Sequence, residues 1–227
     1  MNIAIFGANG ATGRMLTSHS LTQGHKVTVL TRQPRFAVVA SQNWNPGDAY
    51  PQESPTLKVV HGSVFELDPV LRTLEGINAV FSALGAHSPF RNENVLPRAI
   101  PVIVQAMQQT GVRRIIALGS AGALPDSLAR QPAWRRWIAH KVIYPYILKW
   151  PVYEQVMQYR VLSASDLDWT MVMPPVLTHG PARNSYRIDG EALPRNGKSI
   201  SRADVAQFMF QQLNNSQWVR RGVYISN

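Results

Sequence analysis

Three glycines near the amino terminus have the spacing of a phosphate-binding loop. Gly7, Gly10 and Gly13 lie at i, i+3 and i+6, between a predicted strand (Asn2–Phe6) and a predicted helix (Thr12–Gln23). Glycine allows positive φ and a close approach of the backbone to a phosphate. The helix behind it offers unpaired N–H groups and a partial positive charge. The spacing therefore predicts a dinucleotide site, and a glycine-rich turn that binds nothing is the alternative.

The residues after the second predicted strand indicate which dinucleotide binds. NAD sites usually have an acid there for the ribose 2′-hydroxyl, but Val29 to Arg35 contain neither Asp nor Glu. Arg32 directly follows the strand and can bind a 2′-phosphate through two parallel hydrogen bonds, with Arg14 and Arg35 able to assist. We therefore predict NADP(H) as the cofactor. The alternative is that Arg32 is only a solvated surface cation.

Ser120 and the absence of a Tyr–Lys pair bear on how a substrate could be oriented and protonated. Ser120 follows the fifth predicted strand, where its hydroxyl could donate to a substrate carbonyl or order a nicotinamide carboxamide, and a purely conformational turn is the alternative. None of the seven tyrosines has a lysine four residues later, so the Tyr–Lys proton relay of many reductases is absent. Among the histidines only His87 is expected near the cleft, and a lone loop histidine is usually just solvated.

The elements that must position these residues alternate between short apolar runs and longer amphipathic stretches. This is the pattern of βαβ units around a parallel sheet. The predicted strands are Asn2–Phe6, Lys26–Thr31, Leu57–His61, Ala79–Leu84, Arg114–Leu118, Trp169–Met173 and Gly222–Ile225. The predicted helices are Thr12–Gln23, Val70–Leu74, Pro97–Thr110, Val152–Ala164 and Ala203–Leu213. We expect an α/β, doubly wound parallel-sheet Rossmann fold, with residues 1–227 forming a single domain that has a small substrate-side lobe.

Two regions interrupt this alternation. Gln33–Ser54 has no clear period and predicts a long loop, whereas 123–150 is a basic, aromatic insertion expected near the substrate cleft. Its relevant side chains are Trp134, Trp137, Tyr144, Tyr146, Trp150, Arg130, Arg135, Arg136, Lys141 and Lys149. Three interpretations stay open: a packed helix with a solvated cationic face, a lid whose aromatics stack on a planar acceptor, or a stretch that lies on an anionic membrane surface.

Composition narrows the function classes. The absence of cysteine excludes disulfides, zinc–thiolate sites and thiol catalysis, and no zinc spacing, carboxylate pair or nucleophile elbow supports a metal site or a hydrolase. The net charge of +10 attracts anions, but no nucleic-acid-binding motif occurs, so we expect a small-molecule substrate and no nucleic acid. No run approaches the roughly 18–20 apolar residues of a membrane span and no signal peptide is evident, so we expect a cytoplasmic monomer.

Seven motifs, in order along the chain, resemble the atypical short-chain dehydrogenases/reductases of the NmrA-like group. Within that group they are most similar to biliverdin-IXβ reductase/flavin reductase. The motifs are Ile5–Gly13, Val27–Arg32, His61–Val64, Ala83–Gly85, Leu118–Ala121, Leu167–Pro175 and Ile200–Ala206. The resemblance covers nearly the whole chain and is more specific for fold and cofactor than for substrate.

The resemblance implies a role for each matching residue. The pyrophosphate would be held by Gly7, Asn9, Gly10, Ala11, Thr12 and Gly13. Arg32 would bind the 2′-phosphate, and Ser63 and Val64 would flank the adenine. Leu84 and Gly85 would lie along the ribose and diphosphate. Pro174 and Pro175 would lie behind the nicotinamide. Where Ser63 stands the family commonly has Asp, and a serine hydroxyl replaces that contact only weakly.

The implied activity is reduction of a planar acceptor by NADPH. The acceptor would be a flavin (FMN or riboflavin) or a linear tetrapyrrole such as biliverdin, and otherwise a quinone. Two histidines that such reductases often carry on the helix before the Leu167–Pro175 motif correspond here to Gln155 and Tyr159. Without an imidazole acid, solvent would protonate the acceptor while Ser120 orients it. The alternative is a non-enzymatic NADP(H) sensor that binds a partner protein.

Overall fold

Parallel strands occupy the centre of the protein, as the apolar runs predict. The structure is a computed structural model that describes residues 1–33, 55–86, 88, 90–122 and 124–227. Its strands are β1 (Asn2–Phe6), β2 (Lys26–Thr31), β3 (Leu57–His61), β4 (Ala79–Ser82), β5 (Arg114–Leu118), β6 (Asp168–Met173), β7 (Val176–Thr178), β8 (Arg187–Asp189), β9 (Ser199–Ser201) and β10 (Arg221–Ser226). Its α-helices are α1 (Ala11–Thr22), α2 (Leu67–Leu74), α3 (Val95–Thr110), α4 (Ala133–Ile138), α5 (Lys149–Ala164) and α6 (Arg202–Gln211).

Eight strands form the main sheet in the order β3-β2-β1-β4-β5-β6-β10-β8. The pairings are parallel except that of β8 with β10. Ile3 is in register with Val27 of β2 on one side and with Ala79 of β4 on the other. The chain is thus wound outward in both directions from β1, which confirms the doubly wound Rossmann prediction.

The core has two layers, one on each face of the sheet. Successive side chains of a strand point to opposite faces, so Ile5 packs with α1 and α6 while Phe6 packs with α2, α3 and α5. Ile5 and Phe6 are both buried. Burial on both faces explains why these strands are continuous apolar runs instead of alternating ones.

Several boundaries differ from the predicted ones. β4 ends at Ser82 instead of Leu84, and α5 begins at Lys149, three residues before Val152. Pro101 lies inside α3, with its ring exposed, and the helix continues past it. β7, β8 and β9 were not predicted, because strands of three residues are too short to show a period. The predicted loop Gln33–Ser54 lies outside the described residues except for Gln33.

The predicted insertion folds as a 3₁₀-helix (Pro125–Leu128), then α4, then a π-helix (Ala139–Ile147) that leads into α5. Its start is fixed to the chain beyond β8: Gln131 Nε2 donates to the carbonyls of Leu193 at 2.9 Å and Pro194 at 2.8 Å. Leu193 N donates to Ser127 O at 2.8 Å. Within the described part of the chain, no helix is long and apolar enough to cross a membrane.

Candidate active site

The carboxyl ends of the central strands meet where the strand order reverses. β1 lies between β2 and β4, so the connections that follow β1 and β4 leave in opposite directions. In open α/β sheets, ligands bind in the crevice outside such a reversal. The turns at this edge contain predicted site residues from Gly7, after β1, to Pro174, after β6.

Gly7 and Gly13 are required by packing within the loop. Gly7 has φ +83°, a conformation that favours glycine, and a Cβ there would lie 2.6 Å from the carbonyl carbon of Ala83. A Cβ on Gly13 would lie 2.8 Å from Ala8 Cα and even closer to the carbonyl oxygen of Gly7. These two glycines therefore let the loop approach the end of β4 and let α1 approach the loop.

Gly10 differs from Gly7 and Gly13, because a Cβ there would meet the protein closely but without the severe overlap found at the other two. Its backbone is extended (φ −72°, ψ 160°) at the amino end of α1. The nearest atom to an added Cβ is Gly7 O at 3.3 Å. Among the residues that the structure describes, no side chain caps α1, and the first turn of the helix contains no acid. The N–H groups that a helix leaves unpaired at its start are thus open to an anion, and the loop fits a pyrophosphate. Ala11 is exposed and Thr12 is buried in this first turn.

Asn9 and Arg14 hold the loop in shape. Asn9 Nδ2 donates to Thr31 Oγ1 at 2.8 Å, which ties the loop to the end of β2. Gln33 N donates to the same hydroxyl at 3.0 Å. Arg14 Nε donates to Asn9 O at 3.0 Å. The Asn9 amide, predicted to hold the pyrophosphate, therefore joins the loop to the strand that leads into the 2′-phosphate region.

Arg32 lies directly beyond β2 and is exposed to solvent. Its neighbour Gln33 is also exposed, and neither residue is an acid. A cation at this point fits a 2′-phosphate, whereas a ribose hydroxyl would need an acceptor here. Arg35, the predicted assistant, lies outside the described residues.

Ser63 and Val64 follow β3 on the predicted adenine side. Ser63 Oγ accepts a hydrogen bond from Phe65 N at 3.3 Å, so the hydroxyl stabilises the turn that follows the strand. Val64 is half-buried and packs against the core. The sequence could not foresee that the Ser63 hydroxyl has a partner within its own turn.

Leu84 and Gly85 follow β4 on the predicted ribose and diphosphate side. Leu84 is half-buried and packs against the core under α3. Gly85 is exposed, and an added Cβ would have no atom of the described residues within 4 Å. The backbone at Gly85 is therefore accessible from the crevice.

Ser120 and the two prolines come together at the ends of β5 and β6. Ala121 N donates to Pro174 O at 2.9 Å and so joins the two turns. Pro174 is buried, and Pro175 and Ser120 are half-buried. The structure thus brings Ser120 beside the prolines that were predicted to back the nicotinamide.

Tyr144, one of the aromatic residues of the insertion expected near the cleft, lies in this region, but its contact with the Ser120 turn was not predicted. A Cβ added to Gly122 would lie 3.2 Å from the Tyr144 hydroxyl oxygen, and Gly122 N lies 3.5 Å from Ser120 Oγ. The phenol therefore packs on the turn that carries Ser120. Burial raises the pKa of Tyr144, so near neutral pH the phenol is protonated and can donate a hydrogen bond. A Tyr–Lys motif would not identify Tyr144, because residue 148 is leucine. The position of Tyr144 beside the Ser120 turn depends on the π-helix.

Helix α5 presents amides and a carboxylate to this edge. Gln158 Nε2 donates to Leu118 O, at the end of β5, and to Gln155 Oε1, each at 3.0 Å. Glu154 is only 1% exposed, and its Oε2 accepts from Leu96 N at 2.9 Å, so it caps the start of α3. Glu154 was not predicted because its partner is remote in sequence.

The other aromatic residues of the insertion divide between two faces. Tyr144 faces the strand ends, while Trp134, Trp137 and Tyr146 are exposed on the outer side. Tyr159 packs edge-on against Trp169, with ring centroids 5.6 Å apart. His87, the histidine expected near the cleft, and Ala123, the first residue of the insertion, lie outside the described residues.

Comparison with known proteins agrees with this geometry. A family model described as NAD(P)H-binding matches residues 7–216. A short-chain dehydrogenase/reductase from Veillonella parvula DSM 2008, solved in complex with NADP, has 20% identity and a TM-score of 0.74, with 100% of this chain and 94% of that chain covered.

Two further solved structures have names that specify an acceptor. A proposed NADH-flavin reductase from Streptococcus pneumoniae TIGR4 has 23% identity and a TM-score of 0.71, covering 100% of this chain and 99% of its own. An anaerobilin reductase from Escherichia coli O157:H7 has 18% identity and a TM-score of 0.73, covering 100% of this chain and 97% of its own. At these identities the likeness establishes the shared fold.

Proposed function

This chain belongs to the NAD(P)H-binding family, and we propose that it is an NADPH-dependent reductase of a planar acceptor. The observation that carries the proposal is the uncapped start of α1 beside Gly10, with Arg32 at the end of the neighbouring strand. The first fits a pyrophosphate and the second a 2′-phosphate. Both phosphate groups occur together in NADP(H).

Residues of this chain would bind the cofactor and orient the acceptor. The α1 amino end and Arg32 would fix the two phosphate positions, and the Pro174–Pro175 turn would form a wall behind the nicotinamide. The cofactor supplies a hydride when it is bound. Ser120 Oγ would donate to a carbonyl oxygen of the acceptor or order the carboxamide. The neutral phenol of Tyr144 lies on the same turn, where it can donate a second hydrogen bond.

The proton would come from solvent. α5 offers the Gln155 amide where related reductases often have a histidine, and an amide does not titrate near neutrality. A flavin, a linear tetrapyrrole or a quinone suits this arrangement, because each can take a proton from water after hydride transfer. The names of the structural neighbours from Streptococcus pneumoniae and Escherichia coli support the first two of these acceptor classes.

A screen of NADPH oxidation tests the proposal. The purified protein is mixed with NADPH and, separately, with FMN, FAD, riboflavin, biliverdin and small quinones, and the loss of NADPH absorbance is followed. We expect turnover with at least one acceptor and none with Gly10→Val. Tight NADPH binding without oxidation by any acceptor would contradict the reductase and favour the non-enzymatic NADP(H) sensor.

A further inference from the structure

The outer side of the helical segment 133–149 carries large apolar side chains in contact with water. Trp134 is 61% exposed, Trp137 62% and Tyr146 79%. Ile138 and Val142 are also exposed. We name these five side chains the aromatic stripe. Five large apolar side chains exposed within one short segment are more than the single exposed apolar residues of an ordinary surface, and such a concentration indicates a site of interaction with another surface.

The change of helix type keeps the stripe straight. Trp134, Ile138, Val142 and Tyr146 recur at every fourth residue. Four residues are slightly more than one turn of an α-helix but less than one turn of a π-helix, whose hydrogen bonds join i to i+5. The sideways drift of the stripe in α4 is therefore reversed in the π-helix from Ala139 to Ile147.

Four cations belong to the same segment as this stripe and have no acid close by in sequence. Arg135, Arg136, Lys141 and Lys149 belong to the segment, and no Asp or Glu occurs from residue 127 to residue 153. Within the described chain none of the four forms an ion pair. Arg135 Cζ lies 5.2 Å from the ring centroid of Trp134. Arg130, in contrast, is paired with Asp189 and Glu191.

We propose that the aromatic stripe and the four cations of its segment bind the surface of an anionic lipid bilayer. Tryptophan and tyrosine prefer the level of lipid headgroups, and an interfacial helix combines such residues with Lys and Arg. Across α4 and the π-helix only Ala139 is buried, so most of the segment is accessible to a flat surface. Because the charged side chains of the segment are all cations, they would be attracted to a bilayer that contains anionic lipid. This proposal does not depend on the reductase activity.

Sedimentation with lipid vesicles tests the proposal. The full chain is mixed with phosphatidylcholine vesicles that either lack or contain phosphatidylserine, at low and at high salt. We expect binding to the anionic vesicles, weak binding to the neutral ones, and loss of binding at high salt because exposed charges are screened. Equal binding to both vesicle types would overturn the proposal.

Two matched double variants separate the stripe from the total charge. Arg136→Glu with Lys141→Glu reverses two of the four cations. Arg72→Glu with Arg221→Glu makes the same charge change at exposed positions outside the segment. We expect the first pair to weaken vesicle binding roughly tenfold or more, since each cation near the lipid contributes strongly, and the second pair to weaken it only a fewfold. Equal losses in the two variants would refute a localised surface.

A third variant tests the apolar part and the competing partner class. Trp134→Ser with Trp137→Ser should also lose vesicle binding, while NADPH binding and circular dichroism stay unchanged. The native protein could instead fail to bind vesicles but associate with itself, and the double variant could abolish that association. The stripe would then be a protein interface, and the lipid proposal would be wrong.

Discussion

Arg32→Asp reverses the charge directly beyond β2 and leaves the phosphate loop untouched. Arg32 is exposed and makes no hydrogen bond or ion pair within the described chain, so the folded protein should lose little stability. The substitution removes a charge-assisted contact of roughly 1.5–3 kcal/mol and adds a repulsion that water screens to about 0.5–1 kcal/mol at separations of roughly 4–8 Å. NADPH binding should therefore weaken by roughly 2–4 kcal/mol. At 1.4 kcal/mol per factor of ten, this is about 30- to 700-fold.

NADH lacks the 2′-phosphate and provides the internal control. Its affinity should stay within a fewfold in Arg32→Asp, because Asp can accept from the ribose 2′-hydroxyl. Dissociation constants for both cofactors can be measured from the fluorescence of the bound nicotinamide. Higher salt should narrow the gap between the native protein and the variant, since the contact is exposed. Equal weakening of NADPH and NADH would refute the reasoning and show that Arg32 supports the loop instead of the phosphate.

Three further substitutions test the loop, the reaction and the fold. Gly10→Val should abolish binding of both cofactors, because its side chain would occupy the space in front of the amino end of α1. Circular dichroism should still show a native fold, because an added Cβ lies 3.3 Å from Gly7 O and 4.0 Å from Ala83 O, which a small shift of the loop can accommodate; normal NADPH binding would exclude this loop as the site. Ser120→Ala should slow NADPH oxidation by one hydrogen bond, about 5- to 30-fold, with no bell-shaped pH profile near neutrality, and a loss above a thousandfold would make Ser120 part of an obligatory proton relay. Asp204→Ala should destabilise the fold by roughly 3 kcal/mol or more in urea unfolding, because the buried carboxylate accepts from two backbone N–H groups and from Ser201 Oγ. The exposed Asp166→Ala should have little effect, and equal effects would contradict this account.

The elements that surround the glycine-rich loop depend on local sequence and were predicted well. The phosphate loop, the strand before it and the helix after it are adjacent in the chain, and their glycine spacing reflects local backbone geometry. The strands of the central sheet were recognised because burial on both faces leaves long apolar runs. The glycine spacing does not distinguish the roles of the three residues: a Cβ on Gly7 or Gly13 would overlap the backbone severely, whereas a Cβ on Gly10 would meet Gly7 O at 3.3 Å.

The parts that depend on distant contacts were missed. Tyr144 reaches the Ser120 turn because a π-helix orients it, and no short-range pattern in the sequence predicts a π-helix. Glu154 caps α3 from a helix 58 residues away. Asn9 was assigned to the pyrophosphate, but its amide reaches Thr31 at the end of β2. Each of these contacts is created by packing between elements that are separate in sequence.

A cofactor bound at the uncapped start of α1 would link the lifetime of the protein to its cofactor supply. A ligand that binds only the folded state raises the free energy of unfolding, by about 2.7 kcal/mol when its concentration is 100 times its dissociation constant. This corresponds to roughly a hundredfold fewer unfolded molecules, and unfolded chains are the ones that cellular proteases remove. If NADPH fills the open end of the helix, the protein will accumulate in cells rich in NADPH and be degraded faster when NADPH is depleted. Its abundance would then follow the reducing power of the cell without any change in gene expression.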